Sequence, residues 1–199
     1  METFFSLLFA YLVGSIPFGV ILAKAFGLPD PRSHGSGNIG ATNMLRTGRK
    51  EIAAATLALD MLKGVLAVSL VEWTLDADAP LTMLAAVLGH VYSPWLKFKG
   101  GKGVATALGG IFGLDLTAGV ITAIFWLVTF YGTRISSLSA LVALSFAPFA
   151  LWAREDFASC AIGLVATALV FYTHRENIKR LMRGKEPRFE RNTHSEEGS

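Results

Sequence analysis

Residues 35–40 of this 199-residue chain read GSGNIG, and residues 99–103 read KGGKG. Both are glycine-rich turns beside polar or cationic side chains, the setting in which backbone N–H groups stand open to a phosphate. The first matches the dinucleotide pattern G-x-G-x-x-G, which is informative only after a buried strand inside a βαβ unit. Here it follows LPDPRSH, whose two prolines do not fit a central strand, and Asp60, at the spacing of a ribose-binding acid, lies inside an apolar run. The second is no ATPase loop, because Lys102 is followed by Gly103 and position 96, where that pattern needs glycine, is leucine. What remains is two phosphate-suited nests.

Four polar groupings carry the chemistry. In SHGSGNIGATNMLR, residues 33–46, Gly35, Gly37 and Gly40 free the backbone, Ser36, Asn38, Thr42 and Asn43 add neutral donors, and Arg46 adds a fork-shaped cation. A plain turn and helix cap would need fewer small polar residues than this. Asp60 and Lys63 stand three apart on one helical face within an apolar run, where charges are costly unless paired or facing water. They read as a structural ion pair, a phosphate contact, or both. GHVYSPWLKFKGGKGVAT, residues 89–106, holds His90, Lys97, Lys99, Lys102, Gly100, Gly101, Gly103 and Thr106. Lysines that only anchor helix ends are the simpler reading for Lys97 and Lys99. THRENIKRLMRGKE, residues 173–186, offers His174 and Asn177 on one face, while Arg175, Lys179, Arg180 and Arg183 suit anionic lipid.

The elements that must hold these groups are apolar. The chain is 52% hydrophobic and 17% charged, with 18 basic and 15 acidic residues. A soluble domain is typically about 25% charged. Apolar runs cover 4–22, 52–71, 81–96, 104–116, 117–132, 135–152 and 157–173. Several approach the roughly 20 residues that cross a bilayer core. If 104–116 crosses, Lys24, Arg32, Arg46, Arg49, Lys50, Lys97, Lys99, Lys102, Arg134 and the basic tail share one side, while Glu2, LDADA at 75–79, Asp115 and RED at 154–156 share the other. The positive-inside rule then predicts an all-α membrane protein of seven transmembrane helices, N-terminus outside and C-terminus cytoplasmic. A single transmembrane domain over 1–188 and a polar, disordered tail over 189–199 are expected. The lone Cys160 excludes a disulfide framework and a cysteine-rich metal cluster.

Absent patterns narrow the reaction. No histidine is followed five positions later by aspartate, the D-x2-D-G pattern is missing, and no convincing nucleophile set presents itself. An enzyme of this kind must act on a substrate that is already activated.

GSIPFG (14–19), SGNIGATN (36–43), DMLKG (60–64), GHVYSPWLKFKGGKGVAT (89–106) and HRENIKRL (174–181) resemble, in order and spacing, the signatures of PlsY, the family of bacterial acyl-phosphate:glycerol-3-phosphate acyltransferases. The resemblance implies a seven-helix inner-membrane enzyme that moves an acyl chain from acyl phosphate to the sn-1 hydroxyl of glycerol 3-phosphate, giving lysophosphatidic acid and phosphate. It also implies membrane lipid as surroundings and transient contact with the soluble enzyme that makes acyl phosphate. The expected catalytic residues are Ser36, Asn43, Arg46, Lys102, His90 and His174. The expected binding residues are Gly37, Asn38, Gly40, Thr42, Asp60, Lys63, Lys97, Gly100, Gly101, Gly103, Thr106 and Asn177. Neither a metal, a cofactor nor a nucleic-acid partner is expected. A small transporter or channel for a phosphorylated metabolite, with Asp60 and Lys63 in its path, is the alternative from another class; polar residues gathered at one face disfavour it.

Overall fold

The computed structural model describes residues 1–75, 78–154 and 156–189, with backbone alone for 72–75. Parts of both acidic clusters, at 76–77 and 155, and the tail from 190 lie outside the described residues. Among the described residues ten α-helices follow one another: α1 Glu2–Ser15, α2 Phe18–Ala25, α3 Ala41–Leu45, α4 Lys50–Leu75, α5 Ala79–Val91, α6 Val104–Leu114, α7 Leu116–Thr133, α8 Ser136–Trp152, α9 Phe157–Thr173 and α10 Arg175–Met182. No strand occurs among the described residues. Taking α1 and α2 as one span, three stretches of the described residues are long and apolar enough to cross a membrane, and four are if the pair α9 and α10, bent by 65°, counts as one.

Sequence punctuation sets the boundaries. The first apolar run is not one helix but two, because Pro17 lacks an N–H and its ring collides with the preceding turn. Carbonyls freed at that break find donors from elsewhere in the chain: Ser93 Oγ donates to Ser15 O at 2.7 Å and Lys63 Nζ to Ile16 O at 2.9 Å. Broken helices are tolerated in apolar surroundings only when such groups are satisfied again. The third run ends as a helix at Val91, short of the expected 96, since Pro94 begins a separate turn. Asp115 divides the fourth run from the fifth by capping α7, its carboxylate accepting from Ala118 N at 2.7 Å.

Small residues let the helices approach. A Cβ added at Gly64 would fall 2.2 Å from Thr106 O, and one at Gly109 would fall 2.0 Å from Met61 O, so α4 and α6 touch backbone to backbone. Gly14 and Gly89 do the same for α1 and α5, against Ala86 O and Tyr11 O. This is how helices associate where lipid removes the hydrophobic drive between them. The main core gathers Val68, Met83, Val87, Ile111, Leu144, Leu151 and Val170. A second, smaller core of Ala23, Met44, Ile52 and Ala53 joins α2 and α3 to the first half of α4. Ile124, Val128, Phe149 and Leu164 point outward, as residues facing acyl chains do.

Two ends of the bundle can be told apart. Asp115, after α6, pairs with Arg154, after α8, at 3.1 Å. Lys102, before α6, and Ser136 and Ser137, opening α8, gather at the opposite end with α10. Lys63 stands more than three turns into α4, about 20 Å from its start, yet it meets His90 at the end of α5. The loop between α5 and α6 is therefore sunk below the level at which α4 begins, and α6 is short for that reason.

Candidate active site

The 92–103 loop is a rigid shelf. Gly100 N donates to Val91 O at 2.9 Å and Gly101 N to His90 O at 3.0 Å, folding the loop back on the end of α5. Lys97 and Phe98 adopt left-handed backbone, φ 53° and 60°, fixed by the 2.8 Å bond from Phe98 N to Ser93 O. Trp95 Nε1 donates to Ser15 Oγ at 2.8 Å and Tyr11 OH to Tyr92 O at 2.7 Å, so α1 clamps the loop. Only glycine fits at 100 and 101: a Cβ would lie 2.0 Å from His90 O at the first and 2.0 Å from His90 Nε2 at the second. Gly103, φ 89°, turns the chain into α6. The Gly100 and Gly101 N–H groups, expected to face a phosphate, are engaged by carbonyls; those of Lys102 and Gly103 make no hydrogen bond among the described residues.

Beneath the shelf lies the buried ion pair. Lys63 Nζ donates to Asp60 Oδ1 at 2.7 Å, to Ile16 O at 2.9 Å and to His90 Nδ1 at 2.8 Å. An ammonium has three protons. All three are used, so Lys63 has no donor left for a substrate phosphate, which removes the phosphate contact considered for it from sequence. His90, 4% exposed, accepts through Nδ1 and therefore has no lone pair free for a substrate proton. Asp60, Lys63 and His90 brace the joint of α1, α4, α5 and the loop. Thr106 is also sealed, fully buried with its hydroxyl unpartnered.

The 31–46 loop is organised by one side chain. Asn43 is 3% exposed, its Oδ1 accepts from Ser36 N at 3.0 Å, and its Nδ2 points at the carbonyls of Pro31, Asn38 and His34 at 2.7, 2.8 and 3.1 Å. Expected as a catalytic group, it is consumed by its own loop. Thr42 Oγ1 shares a hydrogen with Ser136 Oγ at 2.9 Å and ties the loop to α8. Gly40 caps α3, and Gly37 takes a left-handed φ of 69°. Ser36 is exposed, and its hydroxyl has no partner among the described residues. Arg46 folds back toward Gly35 and makes no ion pair among the described residues.

Between the two loops opens a cleft of about 340 Å³, with Ser36, Gly37 and Asn38 on one wall, Gly100, Gly101 and Lys102 on another, and Thr173 and Arg175 closing it. Lys97 is exposed on the shelf's outer side. Lys102 Nζ donates to Asn177 Oδ1, and Thr173 Oγ1 donates to Lys102 O at 3.0 Å. Burial pushes the Lys102 ammonium down to about 8; Glu186 counteracts, while Arg180 and Arg46 add to the fall. His174 is buried at the α9–α10 bend, and its Nδ1 lies 2.8 Å from Val170 O. A carbonyl only accepts, so Nδ1 carries the proton and a neutral ring leaves Nε2 as an acceptor.

Several contributors carry no clear signal in the sequence. Thr173 and Tyr172 are unremarkable inside an apolar run, and Glu186 was passed over as one acid in a basic stretch. Its carboxylate accepts from Asn177, Ser137 and Arg180. Arg175, for which anionic lipid is the favoured reading from sequence, also borders the cleft.

A helical protein of apolar, closely packed spans, with a glycine-lined cationic cleft at one end, belongs to the class of membrane-embedded proteins that handle small phosphorylated compounds. Comparison with known proteins narrows the class. The family model for glycerol-3-phosphate acyltransferase matches residues 4–184. A glycerol-3-phosphate acyltransferase of Bradyrhizobium diazoefficiens is 52% identical over 184 residues, 92% of this chain and 93% of that one, and one of Brucella suis is 50% identical over 181 residues, 91% and 90%. Crystal structures of PlsY, an integral membrane glycerol 3-phosphate acyltransferase, superpose with TM-scores of 0.89 for the glycerol 3-phosphate form and 0.88 for the lysophosphatidic acid form, at 39% and 38% identity, each over 96% of both chains. The chain belongs to the PlsY family of glycerol-3-phosphate acyltransferases.

Proposed function

We propose that this protein transfers a fatty acyl chain from acyl phosphate to the sn-1 hydroxyl of glycerol 3-phosphate, releasing lysophosphatidic acid and inorganic phosphate, the first acylation of phospholipid synthesis. The observation that carries the reading is the cleft in which Ser36–Asn38 face Gly100–Lys102, with Arg46 and Arg175 at hand. Acyl phosphate is a mixed anhydride, so the glycerol oxygen attacks the acyl carbon directly, the bond to the phosphate oxygen breaks, and phosphate leaves. Such a reaction needs two phosphates held side by side, the carbonyl oxyanion stabilised and the hydroxyl aimed. Lys102, the N–H groups at the start of α6 and Ser36 serve these ends; Asn43, Gly37 and Thr42 shape the loop. The hydroxyl proton goes to His174 Nε2 or to an oxygen of the donor phosphate, since His90 is already engaged.

The same reading sets seven crossings in the bacterial inner membrane, N-terminus outside, with the cleft open to the cytoplasm, where acyl phosphate arrives from the soluble enzyme that makes it. The separation of Asp115 and Arg154 from the Lys102 end supports it. Purified protein in detergent, given acyl phosphate and glycerol 3-phosphate without a second compartment, should release lysophosphatidic acid. Comparable rates with acyl-CoA or acyl carrier protein would remove acyl phosphate as the dedicated donor.

A further inference from the structure

Glu186 lies just past the 4–184 stretch matched by the family model, on a segment that turns back at left-handed Gly184, φ 65°. That segment is strapped across the α7–α8 turn. Phe189 N donates to Arg134 O at 2.9 Å, its ring meets Phe130 edge-on at 5.5 Å, and Lys185 N returns to Arg180 O at 2.8 Å. The strap delivers one carboxylate, 7% exposed, into the back of the site. Its Oε1 accepts from Ser137 Oγ at 2.7 Å and Asn177 Nδ2 at 2.5 Å, and its Oε2 from Arg180 Nε at 2.7 Å.

The chemistry of an amide fixes what this arrangement does. A carboxylate only accepts and an ammonium only donates, so Asn177 must turn Nδ2 to Glu186 and Oδ1 to Lys102. Were the carboxylate absent, Lys102 alone would draw Oδ1 toward itself and Nδ2 would lose its acceptor, so the amide would be held at one end only and its aim would loosen.

Resting on the proposed function for its use of Lys102, we propose that Glu186 is a positioning residue of the transfer reaction, acting through Asn177 to aim the Lys102 ammonium into the cleft. Its charge serves the same end. Lys102 feels Glu186 and Arg180 from the C-terminal segment, Arg46 from the 31–46 loop and His174 from the α9–α10 bend; Glu186 is the group among these that favours its ammonium form. Burial would raise the Glu186 carboxyl, yet the hydrogen bonds from Ser137, Asn177 and Arg180 hold it below the usual range, so it is ionised across the working pH.

The test uses full-length protein in detergent, with wild type, Glu186→Gln, Glu186→Ala and Arg180→Gln assayed together and each checked for its unfolding midpoint. Glu186→Gln should keep the fold and the KM for glycerol 3-phosphate within about twofold, while kcat falls by about tenfold to a hundredfold, the scale of a misaimed group. The alkaline limb of its pH profile should move about one unit lower, because a nearby negative charge has been removed from Lys102. Arg180→Gln leaves the carboxylate on Asn177 and should keep kcat within about threefold. Wild-type kcat and an unmoved limb in Glu186→Gln would overturn the proposal. So would equal losses in Glu186→Gln and Arg180→Gln, which mark a structural ion pair only. A wild type inactive with acyl phosphate counts against the donor, not against Glu186, and the same comparison then runs with the donor that supports turnover.

Discussion

Lys102 is the side chain on which the site turns. Both Lys102 and Lys99 border the cleft, but Lys102 is partly buried and oriented by Asn177, whereas Lys99 is exposed and has no such partner among the described residues. Lys102→Ala should lower activity by more than about a hundredfold, as loss of a donor aimed at developing charge does, and Lys99→Ala should cost less than about tenfold. Because burial brings Lys102 to about 8 and the ammonium form is the one that binds phosphate, kcat/KM should hold below pH 8 and decline as pH rises through it. A profile that instead rises through that range would give Lys102 the role of a base. The buried pair makes a different forecast. Lys63 and Asp60 are each 2% exposed, so Lys63→Met leaves a stranded carboxylate and should destabilise by about 3–5 kcal/mol, while Lys63→Met with Asp60→Leu should recover most of that loss in thermal unfolding.

At the scale of elements, two loops make the site and each is held by a device that sequence spacing hints at without explaining. Gly101 has no room for a methyl group against His90 Nε2, so Gly101→Ala should displace the imidazole, disturb Lys63 behind it and lower both activity and the unfolding midpoint. In the 31–46 loop, Gly37 has φ 69° and Gly40 an ordinary φ of −78°. Gly37→Val should therefore hurt more than Gly40→Val, a ranking that steady-state kinetics on folded protein checks. Arg46→Lys keeps the charge and loses the fork, and should act mainly through a raised KM for glycerol 3-phosphate.

For the whole molecule, the prediction concerns sidedness. After Cys160→Ser, a cysteine placed at exposed Ala153 should react with an impermeant maleimide in intact cells, and one at exposed Lys185 should react only after lysis. The reverse pattern would invert the proposed orientation. The sunken shelf also gives the molecule its division of labour: small-residue contacts between α1, α4, α5 and α6 build a close-packed floor, and the second, smaller core around Met44 carries the facing loop above it.

Much of this was legible in the sequence, because its signals are local. Long apolar runs, a 17% charged composition and cations gathered on alternate connections follow from the bilayer as solvent, and they gave the helical class directly. Glycine beside lysine marked the shelf, since only glycine tolerates so close an approach. Tertiary structure alone decided which groups face the cleft. From sequence Lys63 could pair with Asp60 and still reach a phosphate; Ile16, Asp60 and His90 take all three of its protons, and those partners are 47, 3 and 27 residues away. Asn43 looked catalytic until its own loop enclosed it. Glu186 looked like one acid in a basic run until a strap carried it to Asn177 and Ser137. Donors and acceptors are saturated by whatever the fold brings within about 3 Å, and that distance has no counterpart along the chain.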